Sequence, residues 1–362
     1  MNDLEEFIIE HIRETQPLSI AEYMHFALSH ADHGYYMTRD PFGVQGDFIT
    51  APEISQMFGE MLGLWAAVVW QGMGSPEKVN LVELGPGRGT LMSDMLRAGS
   101  AAPGFGDAVQ VHMVETSPPL KTLQQQALEE IDLAHPAQWH GAFDDVPDGP
   151  VIVIANEFFD ALPIEQYFHA GDYWCPRVVD IKPDGDGLCF VLLPPFDAPE
   201  LPPGLLDVPP DTMVEVCPAG LDIVENVARR IVAQGGAALI IDYGHGESGT
   251  GDTLQAVKGH DHHHPLVDPG EADLTAHVDF GALGQRVFAS GARAQGVVGQ
   301  GAFLNRLGLR ERADSLMAQA TPEQAEDITG AVKRLTDATE MGELFKVMAI
   351  TRIDAPPPPG FE

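Results

Sequence analysis

Basic residues are scarce in this chain. Against 54 Asp and Glu stand only 20 Lys and Arg, a formal charge of −34 over 362 residues. A surface so acidic repels a phosphate backbone, which argues against sequence-independent nucleic-acid binding. It repels anionic lipid for the same reason. A basic partner, or plain solubility, fits the charge. Cysteine is scarce too. Cys175, Cys189 and Cys217 are widely spaced and form neither a CxxC pair nor a disulfide framework, so a reducing compartment is expected. No apolar run approaches the length of a membrane span. The start, MNDLEEFIIEHIRE, is acidic and amphipathic, unlike a signal peptide or an arginine-rich transit peptide. No internal repeat is present. The length accommodates one large domain with insertions, or two domains.

The informative stretch is LVELGPGRGTLMSDMLR, Leu81 to Arg97. Leu81, Val82 and Leu84 form a short apolar run of the kind that makes a buried parallel strand. Glu83 interrupts it, an odd place for a carboxylate. Gly85, Gly87 and Gly89 follow at every second position, then a helix with Leu91, Met92, Met95 and Leu96 on one face. Such a turn lets a ligand approach the backbone, and the helix start offers free N–H groups. Arg88-Gly89-Thr90 is not the Gly-Lys-Ser/Thr of a P-loop, and the third glycine comes one residue early for a dinucleotide fingerprint. An acidic lead residue disfavours pyrophosphate and suits a cation such as S-adenosylmethionine (SAM). A dinucleotide site and a bare tight turn are the alternatives.

Val111 to Val114 reads as a second strand, ending in Glu115 where a Rossmann-like site holds ribose hydroxyls. It lies 115 − 83 = 32 residues beyond Glu83, so a solvated strand-end acid is the other reading. Ser117 and Pro118 open a helix. A weak third strand near Gln138 to His140 precedes Asp144, a candidate for the adenine amino group. Val151 to Ala155 is the clearest strand and runs into Asn156, Glu157 and Asp160. Ligands of open α/β sheets bind beyond the carboxyl ends of the central strands, so Glu157 and Asp160 are catalytic candidates and Asn156 a cofactor neighbour. The competing explanation makes Asn156 a helix cap, with Glu157 and Asp160 favoured by the helix dipole. Ala237 to Ile241 is a fifth strand leading to Asp242 and His245, again at that edge.

Upstream, Thr50-x-x-Glu53 predicts a capping box. Asp47 and Glu53 read either as loop and cap or as part of a lid. Gly59 and Gly63 cost about 1 kcal/mol each inside a helix, which predicts close packing there. Residues from about 165 to 215 form a β-rich insertion with turn signals at Ala170-Gly171-Asp172 and Asp184 to Gly187. The His262–His264 run is a compositional signal only, and no metal site is expected. The proline tail, 353–362, is expected to be disordered.

Five blocks in order carry a resemblance: GDFITAPEISQMFGEMLGLW (46–65), LVELGPGRGTLMSDMLR (81–97), NEFFDALPIEQY (156–167), LIIDYGH (239–245) and ADLTAHVDF (272–280). The chain resembles the mitochondrial complex I assembly factor family of protein arginine methyltransferases and its bacterial MidA-type relatives. The resemblance implies an α/β, class I methyltransferase (Rossmann-like) fold, a mostly parallel sheet. The chain then divides into an N-terminal helical extension or lid (1–75), a methyltransferase domain (76–352) carrying the insertion, and the tail. It implies SAM as cofactor, held by Gly85, Gly87, Gly89 and Glu115, and symmetric dimethylation of an arginine in a complex I core subunit. A bacterial cytoplasmic member is expected, since no transit peptide precedes the match. A small-molecule methyltransferase and a non-catalytic SAM-binding chaperone are the other readings.

Overall fold

The computed structural model describes residues 2–38, 50–195 and 201–362. Asp47 and the other residues of 46–49 lie outside the described residues. The chain forms two compact units. The sheet unit comprises Ile49–Phe158, Ile223–Gly244 and Gly284–Glu362, and the insert unit comprises Met1–Phe48, Phe159–Asp222 and His245–Leu283. The boundary expected near residue 75 therefore does not separate compact units. Helical residues below 75 belong to both.

The sheet unit is built on β1 (Val79–Leu84), β2 (Val109–Val114), β3 (Gln138–His140), β4 (Val151–Asn156), β5 (Gly236–His245), β6 (Ala292–Gly299) and β7 (Phe345–Arg352). Their order is β3-β2-β1-β4-β5-β7-β6. The pairs β1–β2, β1–β4, β2–β3 and β4–β5 are parallel, and β7 is antiparallel to both β5 and β6. Every residue of β1 and of β4 is buried, as befits central strands covered on both faces. Strand order reverses between β1 and β4, which makes that pair the switch point where open α/β sheets bind ligands.

Helix α1 (Gln56–Gly72) packs on α2 (Thr90–Gly99). A Cβ at Gly59 would lie 2.4 Å from the Asp94 Cβ, and one at Gly63 would lie 2.3 Å from the Met95 carbonyl oxygen. The helical penalty of these two glycines is thus offset by backbone approach. The Thr50 capping box does not form. Thr50 precedes a single turn, Ala51–Ile54, without a side-chain cap bond. Ser55 is extended and its side chain caps α1 instead. Glu53 is thereby freed to reach elsewhere.

Two further expectations fail. No helix follows β4. The chain passes through a turn into the strand Glu165–His169, so neither cap nor dipole explains Asn156, Glu157 or Asp160. The proline tail is packed, not disordered. Phe361 lies 5.4 Å from Phe303, centroid to centroid, and Arg306 donates to the Gly360 carbonyl at 2.9 Å. A terminal aromatic with an apolar partner overrides the proline-rich composition around it.

The insert unit holds an antiparallel sheet of Leu18–Ser19, Glu165–His169, Trp174–Ile181, Leu188–Leu192 and Thr212–Val216. The Ala170 N–H donates to the Tyr173 carbonyl at 2.9 Å, closing the predicted hairpin. A three-stranded sheet, Gln255–Lys258, Asp261–His263 and Asp273–Thr275, completes it. The helices Asp3–Glu14 and Ile20–Ser29 bury Leu4, Ile8, Ile20, Tyr23 and Met24 in the core of this unit.

Candidate functional site

The glycine loop joins β1 to α2. Gly85 has φ +62°, and a Cβ there would lie 2.7 Å from the Phe158 ring. Gly89 has φ +84°, and its Cβ would meet the Gln124 Cα at 3.0 Å. Only glycine satisfies both the left-handed backbone and the contact. Gly87 is left-handed as well. Gly89 caps α2 without a side chain, so the helix start keeps backbone donors that a side-chain cap would otherwise engage.

Glu83 accounts for its odd position. It is 3% exposed, and one oxygen accepts the Met92 N–H in the first turn of α2. The other, Oε2, is buried with no hydrogen-bond partner among the described residues. Burial first, and then the charge of Glu115, push its pKa well above the usual carboxylate range. An acid in this state is stabilised by an arriving cation, which it can meet as a carboxylate.

Glu115 is buried, not solvated. Its Oε1 accepts the Thr116 and Ser117 N–H groups, each at 2.8 Å, and its Oε2 accepts from Gln124 at 3.0 Å. Burial raises its pKa, and these hydrogen bonds oppose the rise. Gln124 escaped the sequence reading. It stands on α3 (Pro118–Leu128) and is fully buried. Its amide also donates to the Gly87 carbonyl at 2.8 Å and accepts from Trp139 Nε1 at 2.8 Å. One side chain so ties the glycine loop, the acid after β2 and β3 together. A glutamine in a run of three, Gln124–Gln126, carries no signal by itself. Asp144 sits exposed in a single helical turn and accepts from Asn226 at 3.2 Å.

At the end of β4, Glu157 adopts φ +50°, costly for a residue with a Cβ. Its N–H donates to the Ile241 carbonyl at 2.9 Å. Its Oε1 accepts the Ala51 N–H at 3.0 Å and the Asn156 amide at 3.1 Å. Asn156 itself is 8% exposed. Asp242, fully buried in β5, accepts the Phe158 N–H at 3.1 Å and the Tyr243 N–H at 2.9 Å. The two carboxylates keep separate partners, while the backbone bond from Glu157 to Ile241 joins the end of β4 to β5 beside Asp242. Glu53, freed from its expected cap, accepts from the Thr90 hydroxyl at 2.7 Å and lies 3.6 Å from Arg88. The turn Ala51–Ile54 thus touches both the glycine loop and the β4 edge.

The other two catalytic candidates belong to the insert unit. Asp160 is buried, and its carbonyl accepts the Ala276 N–H at 2.9 Å. Its charge acts on Tyr36, whose hydroxyl donates to Asp273 at 2.9 Å. His245 Nδ1 lies 2.8 Å from the Glu247 carbonyl and 3.8 Å from Asp279. Among the described residues no group of three or more His, Cys, Asp or Glu could hold a metal ion.

The donor set of the sheet unit fits SAM. A buried, unpartnered carboxylate oxygen suits its cationic groups, and the glycine loop gives close backbone access. Glu83, Gly85, Gly87, Gly89, Glu115 and Gln124 would hold it.

Comparison with known proteins agrees on the cofactor. A family model for S-adenosyl-L-methionine-dependent methyltransferases matches residues 61–298. Protein arginine methyltransferase NDUFAF7, mitochondrial, of Xenopus laevis is 38% identical, over 96% of this chain and 84% of its own length. The human protein of that name is 37% identical, over 94% and 81%. Among solved structures, a superfamily member from Burkholderia thailandensis bound to S-adenosyl-homocysteine superposes with a TM-score of 0.83. It is 28% identical, and the match covers 99% of this chain and 92% of that one. The order of the sheet, the glycine loop under a buried acid and these matches lead to one conclusion: the chain belongs to the S-adenosyl-L-methionine-dependent methyltransferase family that includes the mitochondrial protein arginine methyltransferases.

Proposed function

We propose that the protein transfers a methyl group from SAM to an arginine side chain of a protein, with a respiratory complex I type subunit as the target and the cytoplasm as the place. The observation that carries the reading is the acidic edge of the sheet. Glu157, held at a costly φ of +50°, follows β4, and fully buried Asp242 stands near the end of β5, next to the Ile241 whose carbonyl accepts the Glu157 N–H. An arginine side chain stays protonated near neutral pH, with a pKa above about 12. Carboxylates pair it through a planar fork. The formal charge of −34 draws a cationic segment toward the protein at long range. The names of the mitochondrial relatives support the arginine, and three free cysteines support a reducing compartment.

When bound, SAM supplies an electrophilic methyl carbon on a sulfonium. The chain supplies position. Glu83 and the glycine loop anchor the cofactor, Glu115 and Gln124 fix its orientation, and Glu157 with Asp242 holds the acceptor. Holding two reactants in line removes much of the barrier without covalent help from the protein.

The test is incubation with methyl-labelled SAM and a lysate, followed by acid hydrolysis of labelled bands. Methylarginine in a complex I subunit is the expected product. Label in methylarginine of another protein would replace the target. Label only in small molecules would overturn the arginine assignment, and SAM binding without label would leave a binding module. Cell fractionation checks the compartment.

A further inference from the structure

The insert unit encloses a cavity of about 310 Å³, at the small end of the ~300–1,000 Å³ typical of ligand sites. Its walls come from the turn after β4, from the strand Thr212–Val216, and from the stretch between His245 and Leu283. Three carboxylates, Glu215, Glu247 and Asp279, line it, and no Lys or Arg does among the described residues. His277 lies in the wall as well, and burial with His245 beside it lowers its pKa, so its ring is neutral near pH 7. The Cys217 thiol is pushed up to about 12 by burial and carries no charge either. His245 lines the cavity too, 3.8 Å from Asp279, and even counted as a cation it is outnumbered by the three acids, so the cavity is net negative over largely apolar walls.

The three acids differ in what else they do. Glu215 is fixed in the wall, accepting the Thr253 N–H at 2.9 Å and the Gln166 amide at 2.7 Å. Burial raises its pKa, a cost that a cation inside the cavity would relieve. Glu247 is exposed at the rim. Asp279 precedes the helix Phe280–Ala289, and its Oδ1 accepts the Ala282 N–H at 2.9 Å. That cap requires only an acceptor, and asparagine serves as well. A negative charge at 279 is thus more than the fold demands there.

We propose that this cavity binds an alkylguanidinium side chain, with Asp279 and Glu247 pairing the planar head while Phe159, Ile164 and Leu221 pack along the methylene stem. The proposal rests on the arginine reading above and deepens it. It gives the protein substrate a second arginine-binding position, built from other residues than the Glu157 and Asp242 that hold the acceptor. Guanidinium fits better than a bare ammonium because two separated acids can share its fork of donors.

The test uses Nα-acetyl-arginine amide as probe and Nα-acetyl-citrulline amide as its neutral isostere. Binding is read from the ring NMR signals of His245 and His277 in the full chain with SAM present. The arginine probe should shift both signals and the citrulline probe neither. Asp279→Asn keeps the helix cap and should weaken the arginine probe at least tenfold, with SAM affinity and melting temperature unchanged. Glu247→Gln, at an exposed position, should weaken it in the same direction. Equal binding of the two probes, or Asp279→Asn within twofold of the parent, overturns the proposal. Methyl transfer to lysate protein separates this failure from failure of the arginine reading. Transfer to arginine with no probe in the cavity rejects the cavity alone. Charge-dependent probe binding without transfer keeps the cavity and rejects the reading.

Discussion

Gln124 makes three hydrogen bonds from a fully buried amide: to the Gly87 carbonyl at 2.8 Å, to Glu115 Oε2 at 3.0 Å and from Trp139 Nε1 at 2.8 Å. Replacing it by alanine leaves a carbonyl, a carboxylate oxygen and an indole N–H without these partners. A hydrogen bond to a charged group contributes ~1.5–3 kcal/mol and a neutral one ~0.5–1.5 kcal/mol. The three together amount to about 2.5–6 kcal/mol, and water entering the void recovers part of it. Gln124→Ala should therefore cost about 3 kcal/mol, read as a lower urea midpoint at unchanged m. Gln124→Met discriminates between causes. It refills the volume but offers no donor and keeps water out, so the polar account predicts a loss at least as large as for alanine. A packing account predicts recovery. SAM affinity should fall in both variants, because Glu115 and the Gly87 carbonyl lose the side chain that aligns them. A Gln124→Met protein within about 0.5 kcal/mol of the parent would refute the hydrogen-bond argument.

The remaining expectations concern other buried polar groups. Glu83 has a raised native pKa, so its contribution to stability is full below the unfolded carboxylate pKa and is lost as pH rises toward the native value. Glu83→Gln should flatten that slope, leave the cofactor-free protein at least as stable at pH 7, and weaken SAM in calorimetry. His112 is buried, hydrogen-bonded to Asn80 and His140, and lowered to about 4. Its contribution is complete above the unfolded value of 6.5 and is lost as pH falls toward 4, roughly 3 kcal/mol over the window. Urea midpoints should drop with acidity, and drop less in His112→Gln. Glu157→Gln keeps an oxygen for the Ala51 N–H, so melting temperature and SAM affinity should hold while methyl transfer drops about 100-fold or more. Near-parental transfer would move the catalytic assignment to Asp242.

Local and periodic features were legible in consecutive residues. The apolar run of β1, the alternating glycines and the helix stripe of α2 each follow from chain stereochemistry or burial. So does the hairpin at Ala170–Tyr173, closed by the bond from the Ala170 N–H to the Tyr173 carbonyl. The close approach at Gly59 and Gly63 was legible because glycine inside a helix demands a reason. Tertiary structure decided the rest. Glu53 had a local explanation as a cap, and the extended Ser55 removed it, sending the carboxylate to Thr90. Glu157 had a local explanation as a helix start, but the chain turned into a strand and bound its N–H to Ile241, 241 − 157 = 84 residues away in sequence. Gln124 had no local signal, because its role exists only once the loop, the second strand and the third are brought around it. Local propensities are read from neighbours within a turn or two of the chain, whereas the partners of a buried polar group come from wherever the sheet order places them. That is why the glycine loop could be read from consecutive residues, and the side chain that braces it could not.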